Sequence, residues 1–247
     1  DCHLRLNTIS TYMRMLRCIY NRGVDMHQTP YVHRMFRDVF TGIDTRQKKA
    51  IPINELHTLL NEDPQSDKLR RTQAIANLLF LFCGMPFVDL AYLEKSNLEG
   101  NMLKYNRAKT GIPMNVEILD SAATIISQLR NKHTTVLPEH PDYLFYILSG
   151  KNKRSDEAGY KEYQSALRCF NNDLKSLARK LCIRSSVTSY TFRHSWATTA
   201  KYRGVPIEMI SESLGHKSIK TTQIYLKGFE LSERTKVNRL NYSYVMN

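Results

Sequence analysis

A mainly helical protein with one small antiparallel β-sheet is what this sequence predicts, and three observations carry that prediction. From Tyr163 the apolar residues Leu167, Phe170, Leu174, Leu177 and Leu181 follow at steps of four, three, four, three and four. That spacing stacks side chains along one face of a helix. The stretch from Arg71 to Phe82 is apolar nearly all round, which marks a helix buried in the middle of its domain. Around Gly100 and Gly111 the pattern changes to short alternating runs broken by turn residues, the signature of two or three antiparallel strands.

The remaining elements follow in chain order. Leu6, Ile9, Met13, Leu16 and Tyr20 advance by three and four, so the chain enters a helix at once and reads as the middle of something longer. Gly23 and the polar stretch to Pro30 are expected to end that helix, and a second short one is expected over Val32 to Val39. Two short helices are too few for a core of their own. The polar, basic segment from Thr41 to Lys49, with Arg46, Lys48 and Lys49, therefore reads as an interdomain linker, with residues 1–45 closing one domain and 46–247 forming a second with its tail. After Pro52 a helical region containing Leu56, Leu59 and Leu60 leads into the buried helix. Gly84 and Pro86 then break that helix, and Phe87 to Leu93 resumes as a short one. Beyond the sheet come a helix from Ser121 to Leu129, a loop at Pro138 to Pro141, and the amphipathic helix. Ser189 is placed as the cap of a helix that carries Tyr190, Arg193 and Trp196 and stops at Gly204. Pro206 suits the first turn of the next helix, which ends at Gly215; Ser218 caps the last, with Tyr225 about two turns in, and a polar tail runs from Glu230 to Asn247.

Composition narrows the function classes. The 247 residues hold 36 Lys+Arg against 23 Asp+Glu, a net charge of +13. Such an excess favours an anionic partner, and nucleic acid heads the list because neutralising phosphates releases counterions. Acidic protein or membrane surfaces are the other candidates. A transmembrane reading is weak: the longest apolar stretch, around Leu78 to Phe82, is far too short to span a bilayer, and no signal-like leader opens the chain. A soluble cytoplasmic protein is expected. Cys2, Cys18, Cys83, Cys169 and Cys182 are odd in number and scattered without a CxxC pair, and the eight histidines include no HExxH. Buried free thiols are expected, with no disulfide framework, no metal and no cofactor.

The densest chemistry lies in Tyr190-Thr-Phe-Arg193-His-Ser-Trp-Ala-Thr, followed by Leu214-Gly-His216 and, nine residues on, by Tyr225. A guanidinium to hold non-bridging oxygens, an imidazole beside it and a phenol able to attack phosphorus suit chemistry on a phosphodiester. The full run Leu-Gly-His216-Lys-Ser-Ile-Lys-Thr-Thr-Gln-Ile-Tyr225, after Tyr190-Thr-Phe-Arg193-His194, resembles the carboxy-terminal signature of the tyrosine recombinases, also called phage integrases, in order, spacing and flanking Gly and Thr. The resemblance extends back to Arg107-Ala-Lys109-Thr-Gly and to Gly84-Met-Pro-Phe-Val-Asp89-Leu90, so it covers roughly residues 50 to 228. It implies an integrase-type catalytic domain, with the opening helix ending the family's core-binding domain.

Carried over residue by residue, the resemblance makes Tyr225 the nucleophile that forms a 3′-phosphotyrosyl link and leaves a free 5′-hydroxyl. Arg193 would stabilise the charge on pentacoordinate phosphorus. His216 would donate a hydrogen bond to the same phosphate, and Lys109 would give a proton to the departing 5′ oxygen. His194 is expected to pack beneath the site and Trp196 in the core. Lys48 and Lys49, Lys104 and Arg107 on the hairpin, and Lys217 and Lys220 beside the last helix are candidates to clamp duplex phosphates.

Two departures stand out. Tyr190 occupies the position where the family usually has a histidine; it can donate a hydrogen bond but is no imidazole at neutral pH. The family's first arginine is expected two residues after Gly84, where this chain has Pro86, which brings neither charge nor donor. Cys83, just before the glycine, brings no charge either, and Arg70 or Arg71 reaching the phosphate is the other repair. The resemblance implies site-specific recombination, for integration or excision of a mobile element, by a tetramer on double-stranded DNA in the cytoplasm at the nucleoid. A type IB topoisomerase and a catalytically impaired DNA-binding relative are the alternatives.

Overall fold

The computed structural model describes residues 4–42, 50–130, 142–152 and 154–226, together with Thr235, 238–240, Tyr242 and Tyr244 of the tail. The chain divides into two compact units, Asp1–Gln47 and Lys48–Asn247.

In the first unit, helix α1 (Leu6–Asp25) buries only Ser10, whose hydroxyl donates to the Gly42 carbonyl at 2.6 Å. The helix ends at Asp25, inside the polar stretch from Gly23 to Pro30 as expected, although Gly23 itself is still helical. A single glycine inside a helix costs only about 1 kcal/mol, and the left-handed reversal falls instead on His27 (φ 55), after which Gln28 N–H returns to the Gly23 carbonyl. Val32 to Val39 forms turns, not the helix expected there. So short a segment is not a stable helix without packing, and Arg34 at φ 56 interrupts it. It is held by the Tyr20 hydroxyl, which donates to the Pro30 carbonyl and accepts from Val32 N–H.

The second unit follows the predicted class. Its elements are α2 (Ile53–Asn61), α3 (Asp67–Leu81), α4 (Phe87–Ala91), a 3-10 turn (Lys95–Asn97), β1 (Leu98–Glu99), β2 (Met102–Asn106), β3 (Pro113–Glu117), α5 (Asp120–Leu129), α6 (Glu157–Lys180), α7 (Thr191–Tyr202), α8 (Ile207–Ser213) and α9 (Ile219–Tyr225). The strands form one antiparallel sheet in the order β1-β2-β3, with Lys104 opposite Asn115 and Tyr105 opposite Met114. Helix α3 is central, packed on α2, α5, α6 and α7, and buries Ile75, Ala76, Leu78 and Leu79. It starts ahead of the apolar run because its first turn is polar, with Asp67 favourably placed at the positive end of the helix dipole. Helix α6 brings Phe170, Leu174 and Leu177 to the same core, and Phe170 stacks on Phe87 at 4.7 Å.

A smaller core joins Ala197, Ile210 and Leu214, with Trp196 only partly buried at its edge and not inside it. The α7 cap is Tyr190 and not Ser189: Thr191 Oγ1 accepts from Thr188 N–H, while Ser189 N–H donates to Asn171. Pro206 stands one residue before the first turn of α8, and Ser218 caps α9 by accepting from Lys220 N–H. The thiols are less buried than expected: Cys18, Cys169 and Cys182 are exposed and Cys83 is half-buried. The first three lie on outward faces of helices or at a helix end, whereas Cys83 packs against the main core, and Cys2 lies outside the described residues. The loop expected at Pro138 to Pro141 lies outside the described residues. Among the described residues no helix is long and apolar enough to cross a membrane, and no group of three or more His, Cys, Asp or Glu could hold a metal ion.

Candidate active site

Three pieces of the second unit meet around one guanidinium. Arg193, on the first turn of α7, is 1% exposed. It donates from Nη1 to the Gly84 carbonyl at 3.0 Å and from Nη2 to the Leu214 carbonyl, and Nη2 lies 3.1 Å from His216 Nε2. Gly84 has φ 67, and a Cβ there would stand 2.9 Å from Arg193 Cα. Only glycine lets the α3–α4 turn come this close. Pro86, where the resemblance expects an arginine, belongs to that same turn and is the residue before α4.

The proposed repairs from α3 fail on geometry. Arg70 is bound by Asp63 and Asp67, and Arg71 donates to the Tyr146 carbonyl. At 1.5 Å per helical residue, Arg71 stands about 20 Å along α3 from Gly84, beyond the reach of its side chain. Burial raises the pKa of the Cys83 thiol, which keeps that residue neutral.

A second arginine stands in the region instead. Arg107, at the end of β2, is 4% exposed and so is not on the outer face of the hairpin, where a clamp on duplex phosphates would need it. Its Nη1 donates to Asp89 Oδ2 at 2.7 Å, while Asp89 Oδ1 accepts from Ala108 N–H at 2.8 Å. One carboxylate thus fixes both the arginine and the start of the hairpin turn. The Arg107 stem passes over Gly215 (φ 62), where a Cβ would lie 2.7 Å from Arg107 Cδ. Its Nε is buried and makes no hydrogen bond.

His216 follows Gly215 in the α8–α9 turn. Its Nδ1 lies 2.8 Å from Thr222 Oγ1 on α9. Burial, then the charges of Arg193, Arg107 and Lys109, push its pKa down to about 4. Lys109 is exposed in the β2–β3 turn, next to Thr110. Thr110 ties that turn to the site by donating from Oγ1 to the Gly215 carbonyl at 3.2 Å. An open cleft of about 540 Å³ runs beside His216, between β3 and the α8–α9 turn.

The structure therefore gathers Arg193, His216 and Lys109 and adds Arg107. Tyr225 is the last residue of α9, one helical turn beyond Thr222; its side chain lies outside the described residues. Tyr190 is partly exposed at the start of α7, its ring against that of His194 at 5.4 Å, and His194 is buried as expected. Lys104 points to solvent on β2 and pairs with Glu99. Lys217 and Lys220 are exposed around the start of α9, and Lys48 and Lys49 lie outside the described residues. Sequence reasoning gave no role to Asp89 or Thr222. Asp89 stands in the quoted Gly84 motif and Thr222 in the run before Tyr225, but a partner across the fold leaves no local signal.

The family model described as the phage integrase family matches residues 49–230. The tyrosine recombinase XerA of Pyrococcus furiosus is 30% identical over 195 residues, covering 78% of this chain, and the chain spans 62% of that protein's length. Among solved structures, the XerH site-specific recombinase in a post-cleavage complex with palindromic difH superposes with a TM-score of 0.67 at 17% identity, covering 96% of this chain and 65% of the other. The Tn1549 transposon integrase in complex with transposon right end DNA gives a TM-score of 0.62 at 14% identity, covering 97% of this chain and 81% of the other.

Proposed function

The chain belongs to the phage integrase family, and from that premise we propose that it breaks and rejoins double-stranded DNA at a specific site through a covalent tyrosyl intermediate. The observation that carries the reading is Arg193: a buried guanidinium beside His216, with the Arg107 stem over the neighbouring Gly215 and Lys109 in the turn that Thr110 ties to the Gly215 carbonyl. Such a cluster of cations is suited to one phosphate group.

In this reading Tyr225 Oη attacks the scissile phosphorus, the P–O5′ bond breaks, and the phenolic proton is lost to solvent. Lys109 gives its proton to the leaving 5′ oxygen. Arg193 and Arg107 hold the non-bridging oxygens, so Arg107 serves inside the phosphate pocket and supplies the charge that Pro86 lacks. His216 is neutral in the free site. An arriving phosphate, as a nearby negative charge, favours its protonated form, which then donates from Nε2. Tyr190 lies at the rim as a hydrogen-bond donor. Rejoining reverses the same steps without metal or nucleotide.

Lys104, Lys217, Lys220, Lys48 and Lys49 are assigned to duplex phosphates outside the site, in keeping with the net charge of +13. The first unit is assigned to the end of a core-binding domain and the second to the catalytic domain. Integration or excision of a mobile element, by a tetramer on DNA at the nucleoid, is the biological setting proposed. The similarity to a transposon integrase supports it through the fold alone.

The test is a nicked duplex that traps the covalent intermediate, drawn from DNA flanking the protein's own coding region. Native protein should form an adduct and Tyr225→Phe none. Pro86 favours one rival, a DNA-binding relative without activity. Binding to that DNA with no adduct from the native protein would establish the rival and refute the enzyme.

A further inference from the structure

His216 is held at both ring nitrogens by side chains from two different helices. Nε2 lies 3.1 Å from Arg193 Nη2 on α7, and Nδ1 lies 2.8 Å from Thr222 Oγ1 on α9. A guanidinium has hydrogens to give and no lone pair to accept with. Nε2 must therefore be the acceptor. A neutral imidazole carries one N–H, which then sits on Nδ1, and the Thr222 hydroxyl oxygen accepts it. A doubly protonated ring would set one N–H against another at Arg193, and burial with three nearby cations opposes that form as well. Thr222 is 0% exposed, so no bulk water can take the place of its hydroxyl.

We propose that Thr222 is a positioning residue of this site: its hydroxyl fixes His216 as the Nδ1–H tautomer with Nε2 turned toward Arg193, and the same bond sets the register of α9. Tyr225 follows Thr222 by three residues on that helix, so the bond ties the proposed nucleophile's helix to the phosphate pocket. Two further contacts define the helix at its ends, Ser218 Oγ accepting from Lys220 N–H and the Thr222 carbonyl accepting from Leu226 N–H. Neither of them joins α9 to the arginine. The link from Thr222 through His216 to Arg193 does. The tautomer stands independently of the recombinase reading, whereas the consequence for Tyr225 rests on it.

The experiment is nitrogen NMR of the imidazoles in the intact chain, with His216 assigned by the resonance lost in His216→Gln. The native spectrum should show a protonated Nδ1 and an unprotonated Nε2. A native ring protonated at Nε2 would overturn the proposal, whatever the variants do. Thr222→Ser keeps the acceptor and should leave the pattern unchanged, while Thr222→Val removes it and should give exchanging tautomers. A valine variant that keeps the native pattern refutes the role of the hydroxyl. At saturating nicked duplex, Thr222→Val should slow adduct formation about tenfold, from the loss of one buried hydrogen bond. Its DNA affinity should stay unchanged, and serine should restore the rate to within about twofold of native. Adduct formation at the native rate in the valine variant would remove the consequence for α9. Absence of adduct from the native protein would instead sink the recombinase reading and leave the tautomer result standing.

Discussion

The buried pair between Arg107 and Asp89 offers a way to separate support of the fold from chemistry on the phosphate. Both side chains are almost fully enclosed, at 4% and 1% exposure, with 2.7 Å between charged atoms. Arg107→Met leaves the Asp89 carboxylate with Ala108 N–H as its remaining described donor, and breaking a buried pair from one side costs about 3–5 kcal/mol. For a unit of this size each kcal/mol moves the melting temperature by roughly 2–4 °C. The single variant should therefore melt roughly 6–20 °C below the native protein. Adding Asp89→Asn removes the stranded charge and keeps an amide oxygen for Ala108 N–H, so most of that loss should be recovered. Replacing a buried ion pair as a unit is often close to neutral. If Arg107 also stabilises negative charge on phosphorus, the double variant stays slow. Loss of such a donor lowers the rate about a hundredfold. Thermal unfolding and single-turnover adduct formation, measured on native, single and double variants, decide the matter. A double variant that is both stable and as fast as native would refute the placement of Arg107 in the phosphate pocket.

Two further outcomes follow from the same turns. The pKa of His216 is about 4, below its ordinary 6.5, so between those values the unfolded chain takes up a proton that the folded site refuses. Its contribution is full above about pH 6.5 and is lost as pH falls toward 4; the gap corresponds to about 3 kcal/mol for a fully shielded group and about 2 kcal/mol for a half-buried ring. Denaturant unfolding at neutral pH and near pH 4 should show that loss in the native protein and a smaller one in His216→Gln; equal losses would contradict it. Gly215→Ala places a Cβ 2.7 Å from Arg107 Cδ and 2.8 Å from Met114 Sδ at φ 62, whereas Gly111→Ala meets open space at φ 72. Left-handed backbone alone costs an alanine about 1 kcal/mol, and overpacking adds about 1–3 kcal/mol. Gly215→Ala should therefore be the more destabilising by denaturant unfolding and should slow adduct formation, while Gly111→Ala leaves it near native; equal destabilisation would rule out the clash.

What was legible in the sequence divides along a physical line. Elements with a repeating apolar face were readable, because burial of that face is written at fixed spacing: α6 is seen in Leu167, Phe170, Leu174 and Leu177, and the centre of α3 in Ile75, Leu78 and Leu79. The segment 32–39 misleads because its apolar residues mimic a helix period in a stretch too short to hold one, and Tyr20, on the preceding helix, decides its shape. At the candidate site, local motifs point to Arg193, His216 and Lys109. Arg107 reads from the sequence as a surface residue because an isolated arginine on a hairpin usually is one. Its burial depends on Asp89, 18 residues earlier, and on the absence of a side chain at Gly215. Arg70 and Arg71 read as substitutes because they are near Gly84 in sequence, which says nothing of their position along a rigid rod. The exposed thiols show the same limit, since cysteine's average preference for burial does not say which helix face a given one occupies.

Pro86 reads differently once the turn is seen in place. The α3–α4 turn holds Arg193 by a backbone carbonyl, that of Gly84, and by a close approach that only glycine permits at φ 67. Neither depends on the side chain two residues on. Proline just before a helix gives up an N–H that the helix would not use, and its own carbonyl accepts from Asp89 N–H and Leu90 N–H to start α4. That start orients Asp89, and Asp89 in turn holds Arg107. The position where the resemblance expects an arginine thus supports the helix that fixes Arg107. Pro86→Arg would add a guanidinium to the turn that meets Arg193, in a region already holding Arg107. Repulsion among like charges in a confined space makes that addition unfavourable until a phosphate is present to neutralise it. The buried charges of Arg107 and Arg193 have to be balanced within the fold, and here Asp89 and the Gly84 and Leu214 carbonyls provide that balance.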